Sequence, residues 1–541
     1  MKIVSHSWRR LARIIVIVLT LCCLMGPVSV LPAAFKIDAT GGQVISGAAL
    51  KEKVNAFRDA HEKEILREFV GLLAMPNLAS DKPNIIKNGN AVADLLRRHG
   101  VASRILELEG APPVVFGELT TPGAKSTVTF YAHYDGQPVD PSQWKGEPWV
   151  PVLRDNRLEA GGQVINWSAL PAKLNPDWRL YARSASDDKA PIIGMVAALD
   201  ALRDAKVPLS VNLKFFFEGE EEAGSPHLEQ FLSRYAELLK TDLWILCDGP
   251  IHQTNRIQVV FGARGTTGLE LTVYGPNRGL HSGHYGNWAP NPIVLLTHLI
   301  DSMRDTNARI LINKFYEDVR PLTPREQQAV EAMPAVDDQL KKELALGSAE
   351  GDGATLAEQL MKPAINLRGI QSGHVGAQAA NLIPTEASAS IDFRLVPDET
   401  PGHIRELVEG HITKMGFYIV HDTPDAQTRE SHAKVVKLTW EPGYPAARTD
   451  MDLPVSRAVV KSIEDVLGTG IIVCPSLGGS IPMYLFHRLG DRPVIIVPIA
   501  NYDNNQHSSN ENIRLGNLWD GIVIFAGLFA QLGPGIQAGR Q

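Results

Sequence analysis

The segment 215–222 constrains the fold of this chain more than any other. It reads Phe-Phe-Phe-Glu-Gly-Glu-Glu-Glu, so a strongly apolar run leads directly into a cluster of carboxylates. Such a run is typical of a strand that is buried on both faces of an α/β sheet. Carboxylates crowded at the end of a buried strand repel one another unless cations lie among them. The segment therefore predicts a buried sheet with a cation site at its edge, and a solvated turn is the alternative.

Further histidine and carboxylate side chains fall at predicted strand ends or in adjoining loops. His133 and Asp135 follow an apolar run, where strand alternation puts both on one side and lets the carboxylate orient the imidazole. Asp187 precedes a helix, Asp248 ends an apolar run and His507 lies in a polar loop. Each alone is also typical of polar surface or, for Asp187, of a helix N-cap. Two histidines and three carboxylates together fit a pair of zinc ions sharing a bridging carboxylate: His133, Asp187, Glu222, Asp248 and His507.

Most of the chain alternates helix-like and strand-like patterns, which indicates an α/β fold with a helix-flanked central sheet. Ligand sites on such sheets form where strands end, and the candidate residues fall at such ends. The predicted helices of this part are 48–75, 86–99, 190–205 and 454–467. The predicted strands are 103–109, 112–119, 126–133, 211–218, 243–248, 470–475 and 493–498.

Between 263 and 447 the pattern changes to that of a small inserted α+β domain. Its predicted elements are a strand at 268–274, a helix from Pro292, a charged helical stretch at 313–348, a strand at 387–396, a helix at 401–415 and a strand at 435–441. A chain of 541 residues exceeds the usual domain of about 100–200 residues, so at least two compact units are expected. We predict a discontinuous catalytic domain over 35–262 and 448–541, interrupted by the inserted domain 263–447.

The first residues have the pattern of a secretory signal. Basic residues precede an apolar run at 14–25, and small residues follow up to Ala34. A signal peptide over 1–34 predicts export to the periplasm or the medium with no stable membrane span after processing, and a retained N-terminal anchor is the alternative. The net charge of −7, with no basic run beyond the leader, argues against a nucleic-acid partner.

The order and wording of the motifs resemble the co-catalytic zinc family of carnosinases, cytosolic non-specific dipeptidases, aminoacylases, acetylornithine deacetylases and succinyl-diaminopimelate desuccinylases. The resemblance covers about residues 50–535 and includes Leu280-His281-Ser-Gly283 and Asp392-Phe-Arg394-Leu-Val-Pro397. It implies a di-zinc exopeptidase-like catalytic domain, an inserted lid and dimerisation domain, and a homodimer. Ala182, Ser184 and Ala190 stand where the family pattern has glycine. The stretch 150–178 is longer than the family's, with its role open.

The resemblance also implies a role for each matching residue. His133, Asp187 and Asp248 would hold one metal ion, and Asp187 would bridge to a second held by Glu222 and His507. The expected ions are two divalent metals, zinc first, with manganese or cobalt as alternatives. The other implied roles are Asp135 as orienter of the imidazole, Glu221 as general base acting on a metal-bridging water, His281 as oxyanion donor across a dimer interface, and Arg394 with Gly478, Gly479 and Ser480 as the site for the substrate carboxylate.

An aspartate at position 248 resembles the dipeptidase branch of the family. We therefore expect a hydrolase, a metallo-dipeptidase, acting on amide bonds in dipeptides or short peptides. An N-acyl-amino-acid deacylase is the alternative reaction, because both reactions hydrolyse an amide next to a carboxylate-bearing residue. A non-catalytic binding protein on the same fold is the alternative from a different class, and its sequence would lack a ligand or the base. None of these residues is missing here.

Overall fold

The computed structural model describes residues 45–539, and these lie in one compact unit. The signal peptide predicted for 1–34 lies outside the described residues, as do residues 540 and 541. The helices are α1 Gly47–Leu73, α2 Lys82–Arg98, α3 Lys189–Asp204, α4 Leu228–Arg234, α5 Ser282–Tyr285, α6 Pro292–Asp301, α7 Pro324–Glu331, α8 Asp337–Glu343, α9 Leu356–Leu360, α10 Pro401–Lys414, α11 Ala426–Ser431, α12 Pro454–Leu467, α13 Met483–Arg488 and α14 Leu515–Ala538.

Twenty strands accompany these helices. They are β1 Ala102–Leu106, β2 Val114–Leu119, β3 Thr127–His133, β4 Val152–Arg154, β5 Arg179–Tyr181, β6 Asn212–Glu218, β7 Leu243–Leu246, β8 Gln258–Val260, β9 Gly262–Ala263, β10 Gly265–Tyr274, β11 Leu280–His281, β12 Ala364–Gln371, β13 Leu382–Ile383, β14 Glu386–Leu395, β15 Tyr418–Val420, β16 Val435–Trp440, β17 Ala447–Arg448, β18 Ile472–Cys474, β19 Val494–Ile496 and β20 Asn512–Arg514.

An eight-stranded mixed sheet forms the centre of the molecule, in the order β1-β2-β6-β3-β7-β19-β8-β18. On one face α1, α3, α12 and α14 pack together with Phe130, Phe215 and Phe217 of the sheet. On the other face α4 and α13 pack against Phe216 and Trp244. Because apolar side chains point to both faces, the continuous apolar runs of β3, β6 and β7 are all buried. The predicted helix-flanked central sheet is confirmed.

The parallel strands of this sheet bring the predicted site residues to one edge. β3 runs parallel to β6, with His133 directly opposite Glu218 at their carboxyl ends. β7 runs parallel to β3 on its other side and ends two residues before Asp248. Since carboxyl ends of neighbouring parallel strands meet at the same edge, His133, Asp248 and the acidic turn after Glu218 converge there.

A second sheet has five strands, in the order β12-β14-β10-β16-β15. All five strands lie within residues 265–440. Helices α6 and α10 pack against this sheet and form a separate apolar core with it. The chain passes between the two sheets through β9 and β17, which pair antiparallel, Ala447 opposite Ala263. The domain boundaries themselves stay a prediction.

Several elements differ from the sequence expectation, and two of them lie within 263–447. The charged stretch 313–348 contains two short helices, α7 and α8, because Thr323 caps α7 and Pro334 interrupts the chain between them. The edge strand β12 was not predicted, because most of its residues are at least partly exposed and it carries no clean alternation.

Helix α14 is the one helix of the described region with the length and apolar composition to cross a membrane. Most of it is buried between α3, α12 and the central sheet, as expected of a core helix. The longer stretch 150–178 contributes β4, which pairs with β5, and β5 pairs with β20. The extra segment thus extends a small sheet next to the loops that carry Asp187 and His507.

Candidate metal centre

Five side chains from separate elements form two overlapping groups at the sheet edge. The ligand atoms of each group lie within 4.8 Å of one another, and Asp187 belongs to both groups. One group is His133, Asp187 and Asp248, and the other is Asp187, Glu222 and His507. The structure therefore brings together all five predicted metal ligands in the two predicted sets.

The two carboxylate oxygens of Asp187 face different imidazoles. Oδ1 lies 2.9 Å from Nε2 of His133, and Oδ2 lies 3.2 Å from Nε2 of His507. The same Nε2 of His507 lies 3.3 Å from Oε2 of Glu222. Asp187 does not act as a helix cap, since α3 begins at Lys189 and the N-cap position is Asp188. A carboxylate placed in this way can bridge two cations.

The electrostatics of the cluster favour cations. Burial and repulsion from Asp187 raise the pKa of Glu222 to about 8 and that of Asp248 to about 6. Burial also opposes ionisation of Asp187, but hydrogen bonds from His133 and His507 hold its pKa well below the usual range. Buried carboxylates at this density are costly unless positive charge lies among them. Imidazole nitrogens and carboxylate oxygens are also the donors that zinc prefers, so the residues fit a pair of divalent metals.

Glu221 lies beside the cluster, outside both ligand groups. Its Oε2 is 4.0 Å from Nε2 of His133, and burial with charge from Asp248 and Glu222 raises its pKa well above the usual value. It begins a one-turn helix directly after β6, so the buried strand fixes its position. A carboxylate of raised pKa next to a cation site has the properties of a general base or acid.

Asp135 organises both sides of the centre. Its Oδ1 lies 3.3 Å from Nδ1 of His133, which matches the predicted orienting role. The carboxylate also accepts hydrogen bonds from the backbone N–H groups of Glu221 at 3.1 Å and Glu222 at 3.0 Å. One buried side chain therefore positions a histidine and the acidic turn together.

Sequence reasoning missed two residues that hold the ligands in place. The buried carboxylate of Glu511 accepts five hydrogen bonds from the segment 183–187. Gln137 donates from Nε2 to Oε2 of Glu222 at 2.7 Å. Each lies close in sequence to a motif residue, Glu511 four positions after His507 and Gln137 two after Asp135. That proximity is the one signal that could have found them.

Ser184 adopts the left-handed backbone conformation, with φ +63°. Glycine adopts this conformation at the least cost, which explains the glycine of the family pattern at this position. The serine is held there because its N–H donates to Glu511 at 2.8 Å and its Oγ accepts from Asn77 Nδ2 at 2.8 Å. The substitution therefore keeps the turn that presents Asp187.

The residues predicted to hold a substrate carboxylate also meet. Nη1 of Arg394, on β14, donates to Oγ of Ser480 at 2.8 Å, and its Nε donates to Asp392 at 2.9 Å. Gly478 and Gly479 lie in the same loop after β18. The hydrogen bond from Arg394 to Ser480 thus connects β14 of the five-stranded sheet to the loop at 478–480.

His281 is not part of this cluster within one chain. It lies on β11, its side chain is exposed, and Nδ1 accepts from the N–H of Gly283 at 3.1 Å. Among residues 45–539, no hydrogen bond or ion pair joins His281 to any of the five candidate ligands. Its action on the site of a second copy stays a prediction.

A mixed, helix-flanked sheet with histidines and carboxylates clustered at its edge is the arrangement of a metal-dependent hydrolytic enzyme. The chain belongs to Peptidase family M20/M25/M40, whose model matches residues 129–531.

Two relatives match nearly the full chain. It is 26% identical over 496 residues to a Cys-Gly metallodipeptidase of Schizosaccharomyces pombe, covering 88% of this chain and 96% of that protein. It is 25% identical over 507 residues to the human Beta-Ala-His dipeptidase, covering 90% and 93%. The crystal structure of an M20 family metallo-carboxypeptidase from Sulfolobus solfataricus superposes with a TM-score of 0.70 at 29% identity, covering 87% and 99%. The predicted family and fold are confirmed.

Proposed function

We propose that this protein is a metal-dependent dipeptidase that hydrolyses the amide bond of dipeptides or short peptides. The observation that carries the proposal is the pair of ligand groups that share Asp187, with Glu221 beside them and outside both. Two relatives that match about nine-tenths of the chain are named as dipeptidases, which supports this substrate class.

His133, Asp187 and Asp248 would hold one divalent ion, and Asp187, Glu222 and His507 the other. Zinc is the first candidate, with manganese or cobalt as alternatives. When bound, two such ions lower the pKa of water and polarise the carbonyl of the substrate.

The side chains supply the proton transfers and the orientation. Glu221 would take a proton from the attacking water and pass it to the leaving amine, a role that its raised pKa supports. Asp135 positions Glu221 and His133 together, because its carboxylate accepts a hydrogen bond from the backbone N–H of Glu221 and lies against Nδ1 of His133. Arg394 and the loop 478–480 would hold the substrate carboxylate, because a guanidinium fork suits two oxygens.

Two other reactions use the same chemistry. An N-acyl-amino-acid deacylase also cleaves an amide next to a residue with a free carboxylate. A carboxypeptidase that removes the last residue of a longer peptide is favoured by the name of the similar Sulfolobus solfataricus enzyme. The group on the amino side of the scissile bond separates the three: one amino acid with a free amine, an acyl group without an amine, or a longer peptide.

The deciding experiment is a substrate panel run on metal-loaded protein: dipeptides, N-acetyl amino acids and tetrapeptides of the same terminal residue. We expect the highest kcat/KM on dipeptides. Activity confined to N-acetyl amino acids or to tetrapeptides would replace the dipeptidase proposal by the matching alternative. Two bound metals without hydrolysis of any of the three classes would favour the non-catalytic binding protein.

We also propose that the working unit is a homodimer in which His281 serves the partner's site. The exposed position of His281 away from its own metal centre supports this. Export rests on the sequence of the leader and is tested by mass spectrometry of the mature N-terminus. An intact Met1 on membrane-bound protein would favour the anchor.

A further inference from the structure

A cavity of about 400 Å³ lies between the central sheet and the helical segment 324–360. The loop after β7, the start of β8 and the end of β18 line one side, and α7, α8 and α9 line the other. None of the five candidate metal ligands lines it, and neither do Glu221, Arg394 or Ser480. Gly478 is the one residue that it shares with the predicted carboxylate site. The cavity is therefore a separate space, and its volume suits a small organic molecule.

The walls of the cavity are mostly apolar. Ile251 lines the sheet side, and Val336 and Leu360 line the helical side. Ile251 and Val336 are buried. No lysine or arginine is among the lining residues. Such walls favour a ligand with an apolar body and provide no counterion for an anion.

His252 supplies a hydrogen-bond donor to this cavity. Only 7% of its surface is exposed, and it lines the sheet side. Its Nδ1 accepts from the backbone N–H of Thr254 at 3.2 Å and lies 2.9 Å from the hydroxyl of the same residue. Burial and the nearby charge of Arg256 lower the pKa of His252, so the ring is neutral and carries its proton on Nε2. That N–H has no acceptor within residues 45–539.

Gln258 supplies an acceptor next to this donor. It also lines the cavity and is 7% exposed. Its Nε2 donates to the carbonyl oxygen of Pro250 at 2.9 Å, two residues before His252, so the two side chains are neighbours. Its Oε1 accepts no hydrogen bond from the described part of the chain. A buried donor beside a buried acceptor matches the two sides of an amide group, and leaving either unpaired is costly.

Three carboxylates line the helical side of the cavity, those of Glu331, Asp337 and Glu358. Within residues 45–539 none of them lies within ion-pair distance of a basic side chain. One oxygen of Asp337 accepts from the N–H of Leu356 at 2.8 Å, and one of Glu358 accepts from the N–H of Thr355 at 2.7 Å. The second oxygen of each has no partner in the described chain. Carboxylates without basic neighbours in the lining favour a cation at this side of the cavity.

We propose that this cavity is a second binding site, for a small organic cation with an apolar body and an amide group. The amine would lie at the carboxylates of Glu331, Asp337 and Glu358. The amide would accept from Nε2 of His252 and donate to Oε1 of Gln258, and the apolar body would fill the space between the walls. Amides of apolar amino acids combine all three parts. The site goes beyond the proposed hydrolysis, because it uses neither the candidate ligands nor Glu221.

The test measures calorimetric binding of two probes to the metal-loaded full-length protein. Phenylalaninamide has the ring, the amide and the amine, and 3-phenylpropanamide lacks only the amine. Phenylalaninamide should bind at one site with about tenfold higher affinity than 3-phenylpropanamide, the typical effect of one charge-assisted contact. Glu221→Gln protein is titrated in parallel, since it should bind the probe equally and not hydrolyse it. A dipeptide substrate should not displace the probe.

Variants of the cavity locate the binding. Ala335 is an exposed lining residue, so Ala335→Trp should fill the cavity and weaken binding of both probes without lowering the melting temperature. Asp337→Asn keeps the acceptor for Leu356 and should remove most of the preference for the amine. Asp338→Asn is the matched control, because Asp338 is exposed, pairs with Lys341 at 2.7 Å and does not line the cavity.

Several results would overturn the proposal. They are the absence of saturable binding of phenylalaninamide, equal affinity for both probes, displacement by a dipeptide, and unchanged binding in both cavity variants. If Ala335→Trp does not fold, the ratio of the two affinities in Asp337→Asn decides. Failure of the proposed dipeptidase function is recognised separately, because protein that hydrolyses no peptide can still be titrated with both probes.

Discussion

Glu511 accepts a hydrogen bond from the backbone N–H of Asp187 at 2.9 Å, 324 positions away in the sequence. The same carboxylate accepts from Arg183, from the N–H of Ser184 and from both the N–H and the hydroxyl of Ser186. All of these donors precede Asp187 in one turn. The turn that presents the carboxylate of Asp187 is therefore held by a second buried carboxylate, which belongs to neither ligand group.

We expect Glu511→Gln to weaken metal binding without removing any ligand. The glutamine amide has one acceptor oxygen where the carboxylate has two. Either Arg183 and Ser184, or Ser186 and Asp187, therefore lose their hydrogen-bond acceptor. The expected loss of folding stability is about 2–4 kcal/mol, the range for breaking a buried charge pair. Metal titration and chemical unfolding measure both effects, with the exposed Glu237→Gln as control. Unchanged metal affinity in the variant would show that the turn at 184–187 keeps its conformation without the carboxylate of Glu511.

Glu221→Gln should lower kcat by a factor of about 10²–10⁴ while two metals remain bound. Glu221 lies outside both ligand groups, so its removal takes away a proton acceptor and no ligand. Steady-state kinetics and elemental analysis of the same preparation check the prediction. Turnover close to that of the wild type would exclude Glu221 as the base.

Asp187→Ala should release both metals together. One carboxylate belongs to both ligand groups, so its removal leaves each candidate ion with only two of its three protein ligands. Asp188→Asn is the matched control, because Asp188 accepts from the backbone N–H of His133 at 3.3 Å and lies in neither group. Elemental analysis should find two metals in the control and none in Asp187→Ala. Two metals in Asp187→Ala would identify another bridge.

His281→Ala should lower kcat by about 10²–10³-fold with unchanged metal content, as expected for the loss of one oxyanion donor. If His281 acts on the partner's site, dimers mixed from inactive His281→Ala and inactive Glu221→Gln chains regain activity, because one of the two sites then has both groups intact. Activity of purified mixed dimers is the measurement. No recovery would argue that His281 does not act across the interface.

Protonated His99 should stabilise the folded state, and this contribution should be lost at alkaline pH. Burial opposes its charge, but hydrogen bonds to Asp200 at 2.6 Å and Glu68 at 3.0 Å outweigh burial and raise the pKa from 6.5 to about 9. The folded state then keeps a proton that the unfolded state has lost. The contribution of this group, about 1–3 kcal/mol, is therefore fully present below pH 6.5 and is lost as the pH rises through 9. The difference in unfolding free energy between wild type and His99→Gln should shrink over that range, and a constant difference would contradict the prediction.

The sequence by itself determined the central sheet and the candidate ligands at its edge. Apolar runs such as that ending at Glu218 are locally complete signals, because a strand buried on both faces must be apolar throughout. The ligands follow directly after these runs or in the loops beside them, so the strand ends locate them. The same local information gave α3 and α12 to within one residue at each end.

Only the tertiary structure decided which side chains support the ligands. Glu511 and Gln137 have no distinctive local pattern, and their importance comes from partners that are 85 or more positions away. The exposed edge strand β12 and the break between α7 and α8 also depend on neighbours and on single proline positions. Whether a buried charge is compensated is a property of three-dimensional packing, because counterions meet through folding and not through sequence order. The sequence therefore predicts which side chains form the candidate metal centre, and the folded chain decides which residues hold those side chains in place.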